Sequence, residues 1–194
     1  MSGVATALLG LAKRGLALVY PEVCQLCRDE PAQPADGYVG MDCLEKMKPI
    51  EAPFCRRCGQ PFEGEITGEF ECTNCREMRL RFEFARGVMR GSAEMMDAVH
   101  RFKYQQALWL EPLFRRLFAE MAVEQIRSWR GDCLVPVPLH PVRLRERGFN
   151  QAEQLCRNLS RVTGLKLENR AVKRTRVTQT QTLLSRGERL ANMR

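Results

Sequence analysis

Three Cys-x-x-Cys pairs in the first 75 residues constrain the fold of this chain more than any other feature. The pairs are Cys24/Cys27, Cys55/Cys58 and Cys72/Cys75. Two thiolates on one tight turn can bind the same metal ion, and two such turns form a tetrahedral zinc site. The last two pairs have the spacing of a zinc ribbon, and Gly59 lies at the knuckle, where a positive φ is often needed. A disulfide framework is the alternative, and it is typical of secreted domains.

A second, less complete set of ligands precedes this ribbon. Three cysteines have ribbon spacing: Cys24, Cys27 and Cys43. A fourth would be expected three residues before Cys43, but that residue is Gly40. Asp42, Glu45 or a water could fill the fourth position, or the site could be metal-free. An open position is also typical of catalytic zinc, although no residue nearby offers a matching general base.

Composition places the chain among globular proteins, with 44% hydrophobic and 28% charged residues in 194. No segment approaches the roughly 20 apolar residues of a membrane span. Residues 1–20 contain an apolar run that predicts an N-terminal helix packed on the rest of the chain. A signal peptide is the alternative, but Lys13 and Arg14 follow the run instead of preceding it. Cysteines kept as metal thiolates indicate a reducing, cytoplasmic location.

Positive charge is concentrated at the C-terminal end. Residues 140–194 hold 13 Lys and Arg against 4 Glu, a net charge of +9, whereas residues 1–139 hold 18 against 19, a net charge of −1. Together they give the +8 of the whole chain. Such a region favours phosphate groups, on a nucleotide sugar or along a nucleic acid. A solvated basic face is the alternative.

Hydrophobic periodicity and turn residues predict alternating strands and helices after the cysteine-rich region. Ser92 is a predicted N-cap, and Gly164 a predicted helix end. Cys133 and Cys156 fall on apolar faces and are expected to pack in the core. The pattern begins an α/β layer. Its elements are a strand over 82–90, a helix after residue 92, a helix over 107–129, a strand over 133–139, a helix over 151–163 and a strand over 165–176.

Residues 139–150 connect a strand end to a helix start, where α/β sheets bind ligands. Arg143, Arg145 and Arg147 offer guanidinium groups suited to bidentate phosphate contacts. Asn150 is placed to cap the following helix, whose backbone N–H groups favour an anion. A surface arginine cluster beside a helix cap is the alternative interpretation.

Several strings, in their order along the chain, resemble the ComF family. They follow the double zinc ribbon and are His100-Arg-Phe-Lys-Tyr, Val135-Pro-Val-Pro, Arg147-Gly-Phe-Asn-Gln, Arg174-Thr-Arg and the stretch from Gln181 to Asn192. The resemblance runs from about residue 20 to the end of the chain. It implies an α+β/α/β protein with a small zinc-ribbon module before an incomplete type I phosphoribosyltransferase-like α/β domain. The implied domains are an N-terminal helix (1–20), a double zinc ribbon (21–80) and the N-terminal part of the phosphoribosyltransferase-like domain (81–194).

The resemblance also implies function. ComF proteins are associated with DNA uptake in natural competence, so single-stranded DNA, phosphoribosyl pyrophosphate and proteins of the uptake machinery are the expected partners, and zinc the expected cofactor. Lys103, Arg143 and Arg147 are implied contacts to phosphate, joined by Asn150 at the helix cap. Residues 174–192 resemble the mobile segment that covers such a site.

The resemblance has one large gap. The phosphoribosyl-pyrophosphate loop of the transferases, an acidic pair followed by a Thr-Thr-Gly-type cradle, has no match in residues 1–194. We therefore expect a chain truncated before that loop, with no assignable catalytic residue. The alternative is a phosphoribosyltransferase whose active site is completed by sequence beyond residue 194.

Overall fold

A computed structural model describes residues 22–178, 181 and 184–192. The helix predicted for residues 1–20 lies outside this part of the chain and stays a prediction. No helix among the described residues is long and apolar enough to cross a membrane.

Two ribbons with the same local architecture form the N-terminal part. Each begins with a knuckle closed by an isolated antiparallel bridge, Val23 with Pro31 in the first ribbon and Phe54 with Pro61 in the second. Each then continues into one short helix. These helices are α1 (Met41–Lys46) and α2 (Thr73–Glu77). A 3-10 turn, Pro34–Asp36, lies between the knuckle and the helix of the first ribbon.

Three helices follow the ribbons. Ser92 accepts a hydrogen bond from the backbone N–H of Met95 and starts α3 (Ala93–Tyr104), which confirms the predicted cap. The helix predicted over 107–129 is instead a 3-10 turn (Leu108–Leu110) followed by α4 (Glu111–Met121) and α5 (Val123–Ser128). The interruption falls at Ala122, which ends α4 and precedes α5.

The last part contains a small α/β unit. Strand β1 (Cys133–Leu134) is followed by α6 (Pro141–Arg147), α7 (Gln151–Thr163) and β2 (Lys166–Leu167), and α8 (Arg186–Asn192) closes the described chain. The two strands pair in parallel, Cys133 with Lys166 and Leu134 with Leu167. The α7 bounds match the prediction, with Asn150 as N-cap and Gly164 in the left-handed region after its end.

Three other expectations are wrong. The strands are shorter than predicted, because Pro136 and Pro138 have no N–H with which to extend a ladder from β1. Residues 82–90 form no strand and make one isolated bridge, between Pro49 and Met89. Cys133 is exposed instead of packed in the core.

Two clusters of buried residues form the core. The larger one joins α3 and α4 to the first ribbon, and Leu110 and Leu113 at its centre are fully buried. The smaller one lies between α5 and α7 and contains Ala122, Val123, Ile126 and Leu159. The result is a ribbon module joined to a helix-rich α/β region with a two-stranded parallel sheet.

Candidate functional site

The second ribbon places four sulfur atoms in one compact group. Its members are Cys55, Cys58, Cys72 and Cys75, whose Sγ atoms all lie within 4.8 Å of one another. The Cys55–Cys75 and Cys58–Cys72 sulfur distances are 3.8 and 3.7 Å. Zn–S bonds of about 2.3 Å at tetrahedral angles require sulfur atoms about 3.8 Å apart. The donor set and its spacing therefore fit zinc.

Backbone geometry explains why these sulfur atoms converge. The N–H of Gly59 donates to the carbonyl of Cys55 at 2.8 Å, which closes the knuckle. Gly59 has a φ of +72°, and a Cβ there would lie 2.6 Å from the carbonyl oxygen of Ala85. Only glycine fits both the turn and the neighbouring segment.

The thiols of the second ribbon have divergent pKa values. Burial alone would raise the pKa of Cys55, but the backbone N–H groups of Cys58, Cys72 and Arg57 together lower it to about 6. Burial and the neighbouring thiols raise the pKa of Cys75. Because zinc binds thiolates, metal binding at this site must release a proton from Cys75.

The first ribbon brings together a different donor set. Its members are Cys24, Cys27, Glu30 and Cys43, whose ligand atoms also lie within 4.8 Å of one another. The carboxylate in this group belongs to Glu30, and neither Asp42 nor Glu45, considered from the sequence alone, is part of it. Sequence reasoning missed Glu30, because its approach to these sulfur atoms depends on how the knuckle packs against α1.

The arginine segment differs from its prediction in local structure. Its seven residues Pro141–Arg147 form helix α6, where a turn was expected. The Nδ1 atom of His140 accepts a hydrogen bond from the N–H of Val142 and caps the helix. Arg143 and Arg147 are one helical turn apart and share a face.

The end of α3 meets this face. The guanidinium of Arg147 lies 4.9 Å from the centre of the Tyr104 ring, and it donates to the Oε1 atom of Gln151 at 3.4 Å. Buried Gln151 in turn donates to the carbonyl of Lys103 at 3.3 Å. Burial and the charge of Arg147 lower the pKa of Lys103. Lys103 and Arg147 are thus brought together.

The other two predicted phosphate contacts are already engaged. Arg143 pairs with Glu146 on the same helix at 2.7 Å. The side chain of Asn150 accepts from the N–H of Ala152 at 3.1 Å and donates to the carbonyl of Val137 at 3.1 Å. Asn150 therefore fixes the start of α7 against the segment that follows β1.

A basic cleft of about 480 Å³ lies beside the segment that follows β1. It is lined by Val137 and Pro138, by residues of the 172–178 segment and by Asn192. The cleft contains the side chains of Lys173 and Arg174, and Arg174 donates to the hydroxyl of Thr178. Arg174 belongs to the stretch 174–192 that is expected to cover the site, whereas Lys173 lies just before that stretch and was not assigned to a site.

The fold and these sites define a zinc-ribbon protein with a helix-rich α/β region. The double zinc ribbon domain family matches residues 15–78. The chain is 27% identical over 155 residues to Competence protein F of Haemophilus influenzae, a match that covers 78% of the chain and 66% of the relative. No solved structure matches the chain.

Two further relatives extend the similarity over more of the chain. DNA utilization protein YhgH of Escherichia coli K12 is 28% identical over 182 residues, which cover 91% of the chain and 77% of the relative. Competence protein ComFC of Bacillus subtilis is 26% identical over 186 residues, which cover 86% of the chain and 75% of the relative. These similarities support the resemblance to the ComF family, and the double zinc ribbon with its two clusters of ligand atoms makes the chain a zinc-binding protein.

Proposed function

We propose that this chain is a zinc-stabilised protein of DNA uptake whose α/β region binds a phosphate-bearing ligand. The names of the relatives, which refer to competence and DNA utilization, support the biological context. A phosphoribosyltransferase-like architecture over 81–194, behind the double ribbon of 21–80, is part of the proposal.

Zinc has a structural role in this proposal. The ligands in the second ribbon are Cys55, Cys58, Cys72 and Cys75, and Cys24, Cys27 and Cys43 contribute to a site in the first. Four thiolates close the second site, which leaves no position for a substrate. Bound zinc would cross-link each knuckle to its helix, and the folding of residues 50–80 in the second ribbon would depend on it.

The observation that carries the phosphate proposal is the placement of Arg147 against the end of α3, where Gln151 links its guanidinium to the backbone carbonyl of Lys103. Burial and the charge of Arg147 lower the pKa of Lys103, a cost that a bound anion would offset. The stacking of Arg147 on Tyr104 fixes the guanidinium before any ligand arrives. The basic cleft beyond β1 lies where α/β sheets bind ligands.

Single-stranded DNA is the ligand that we favour. Residues 1–194 contain no acidic pair with a Thr-Thr-Gly-type cradle, so we expect them to bind phosphoribosyl pyrophosphate poorly. A backbone of repeated phosphates could instead engage both α6 and the 173–176 segment. Such binding should weaken steeply with salt, by about 0.7 in the logarithmic slope for each phosphate contact.

The test compares both ligands on matched variants. Wild type, Arg143→Ala/Arg147→Ala and the control Arg145→Ala are titrated with single-stranded DNA and with phosphoribosyl pyrophosphate at two salt concentrations. Arg145 lies about 200° around α6 from Arg147, so its replacement removes one positive charge from another face of the helix. We expect the double variant to lose affinity and between one and two units of salt slope, and Arg145→Ala to change both much less.

Two results would count against the proposal. Unchanged DNA affinity in the double variant would show that this face of α6 does not contact DNA. Tight binding of phosphoribosyl pyrophosphate by wild type would show that its site is complete in these residues, and would favour the transferase alternative.

A further inference from the structure

The two ribbons can be aligned with each other through their backbone contacts. The N–H of Cys24 donates to the carbonyl of Glu30 at 2.7 Å, and the N–H of Cys55 donates to the carbonyl of Gln60 at 2.8 Å. Arg28 and Gly59, which follow the second cysteine of each knuckle, have φ values of 67° and 72°. Glu30 of the first ribbon therefore corresponds to Gln60 of the second.

The helices align in the same way. Gly40 is the N-cap of α1 and Cys72 is the N-cap of α2, while Cys43 and Cys75 are each the third residue of their helix. The backbone N–H of Cys72 lies 3.3 Å from the sulfur of Cys55, and Gly40 holds the corresponding place at the start of α1. Gly40 thus occupies the position of the missing fourth cysteine.

The side chain of Glu30 occupies the space that a side chain at position 40 would need. A Cβ built on Gly40 would lie 2.1 Å from the Cδ atom of Glu30 and 2.5 Å from its Oε2 atom. The first ribbon has glutamate and glycine where the second has glutamine and cysteine. In the first ribbon the fourth side chain of the group therefore comes from Glu30 on the knuckle, and Gly40 at the start of α1 leaves room for it.

The Glu30 carboxylate has the spacing of a zinc ligand. Its Oε1 atom lies 3.5 Å from the Sγ atom of Cys27. A Zn–O bond of about 2.0 Å and a Zn–S bond of about 2.3 Å at a tetrahedral angle place oxygen and sulfur about 3.5 Å apart. We propose that Glu30 is the fourth zinc ligand of the first ribbon, which makes that site three thiolates and one carboxylate.

Backbone contacts orient this carboxylate. The N–H of Asp42 donates to its Oε2 atom at 2.8 Å, and the N–H of Cys43 donates to Oε1 at 3.2 Å. Outer contacts of this kind fix metal ligands in place. They also define the competing explanation, in which Glu30 caps α1 and binds no metal.

The test measures zinc per chain by inductively coupled plasma mass spectrometry on the full chain. We expect two zinc ions in wild type and one in Glu30→Gln, which keeps an acceptor for the cap but loses the charged ligand. Asp42→Asn and Glu45→Gln are the matched controls on α1, and both should retain two. Gly40→Cys alone should not strengthen the site, because its Cβ would meet Glu30.

The variant Glu30→Ala/Gly40→Cys makes the test independent of folding defects in Glu30→Gln. It should restore two zinc ions and build a four-cysteine site. After cobalt(II) exchange, its thiolate-to-metal charge-transfer absorption should rise from the level of seven thiolates to that of eight. A double variant that stays at one metal ion would overturn the proposal.

The inference rests on the proposed zinc role of the first ribbon, and the outcomes separate the two. Two zinc ions in Glu30→Gln would overturn Glu30 as a ligand but leave a zinc site in the first ribbon. One zinc ion in wild type would overturn the inference and leave the second ribbon intact as a site. No zinc in wild type would overturn the structural role of the metal as well.

Discussion

The first ribbon contributes five buried side chains to the core that it shares with α3 and α4, namely Cys24, Ala32, Val39, Cys43 and Met47. The second ribbon contributes none of its described residues to either core cluster. Its apolar contacts are local, such as the rings of Phe62 and Phe70 at 5.2 Å. The two ribbons share one backbone architecture but are stabilised differently. The first depends on buried side chains and metal, and the second mainly on metal.

The two ribbons are also attached to different parts of the chain. Gly37 of the first ribbon lies so close to α4 that a Cβ there would be 3.1 Å from the Cβ of Leu113. The second ribbon is attached to the segment after it, where the Arg86 guanidinium lies 4.9 Å from the Phe54 ring and 5.5 Å from the Phe84 ring. The N–H of Ala85 also donates to the carbonyl of Arg57 at 2.7 Å.

The largest expected difference comes from removing one ligand in each ribbon. Cys58→Ser and Cys27→Ser should each cost one zinc ion. Structural zinc contributes roughly 10–16 kcal/mol in small zinc-binding peptides, which the sparse contacts of the second ribbon cannot replace. We expect Cys58→Ser to unfold residues 50–80, and Cys27→Ser to leave the core folded. Metal analysis and limited proteolysis measure this, and equal protease sensitivity of the two variants would break the comparison.

A mutation in the larger core cluster should affect the first ribbon more than the second. Leu113→Ala removes a fully buried side chain beside the first ribbon and should cost about 2–5 kcal/mol in urea unfolding. It should also speed zinc release from the first ribbon. The control is Ile126→Ala in the smaller cluster, which should cost a similar amount without that effect. Equal zinc release rates in the two variants would show that the first ribbon is not coupled to its core.

Arg28 and Gly59 occupy equivalent left-handed positions in the two knuckles, and substitutions there should have different effects. Gly59→Ala imposes a left-handed cost of about 1–2 kcal/mol and a clash with Ala85, so it should weaken zinc retention in the second ribbon. Arg28→Gly relieves the same backbone strain in the first, and should change stability by no more than about 1 kcal/mol. Chelator competition measures both, and a tolerated Gly59→Ala would contradict the close approach seen in the structure.

The smallest expected difference concerns ion pairs. Asp36 of the first ribbon pairs with Arg116 of α4, and both side chains are partly shielded from solvent. Asp36→Asn should cost about 0.5–1 kcal/mol at low salt and less at high salt. The control is Glu69→Gln, which removes the exposed partner of Arg56 in the second ribbon and should have no measurable effect. A larger effect of Glu69→Gln would reverse the expected order.

Local signals were enough to predict several elements. The caps at Ser92 and Asn150 and the end of α7 at Gly164 depend on residues within a few positions of each other. The complete cysteine set of the second ribbon could likewise be found from spacing alone. In each case a short stretch of sequence contains all the groups that determine the structure.

Features set by tertiary contacts could not be predicted in this way. Glu30 meets Cys43 only because the knuckle and α1 fold against each other, and its occupation of the space beside Gly40 is visible only in three dimensions. The interruption at Ala122 lies where α4 leaves one core cluster and α5 enters the other. The apolar period runs through this point without a break, so the sequence pattern alone predicted one long helix.

Hydrogen exchange before and after zinc removal tests the central claim most directly. The full chain is treated with a strong chelator, and amide exchange is followed by mass spectrometry. We expect peptides from residues 50–80 to lose their protection, and peptides covering Val39 to Met47 to keep most of theirs, because that segment stays buried against α3 and α4. Simultaneous loss of protection in both ribbons, or earlier loss in the first, would contradict the account.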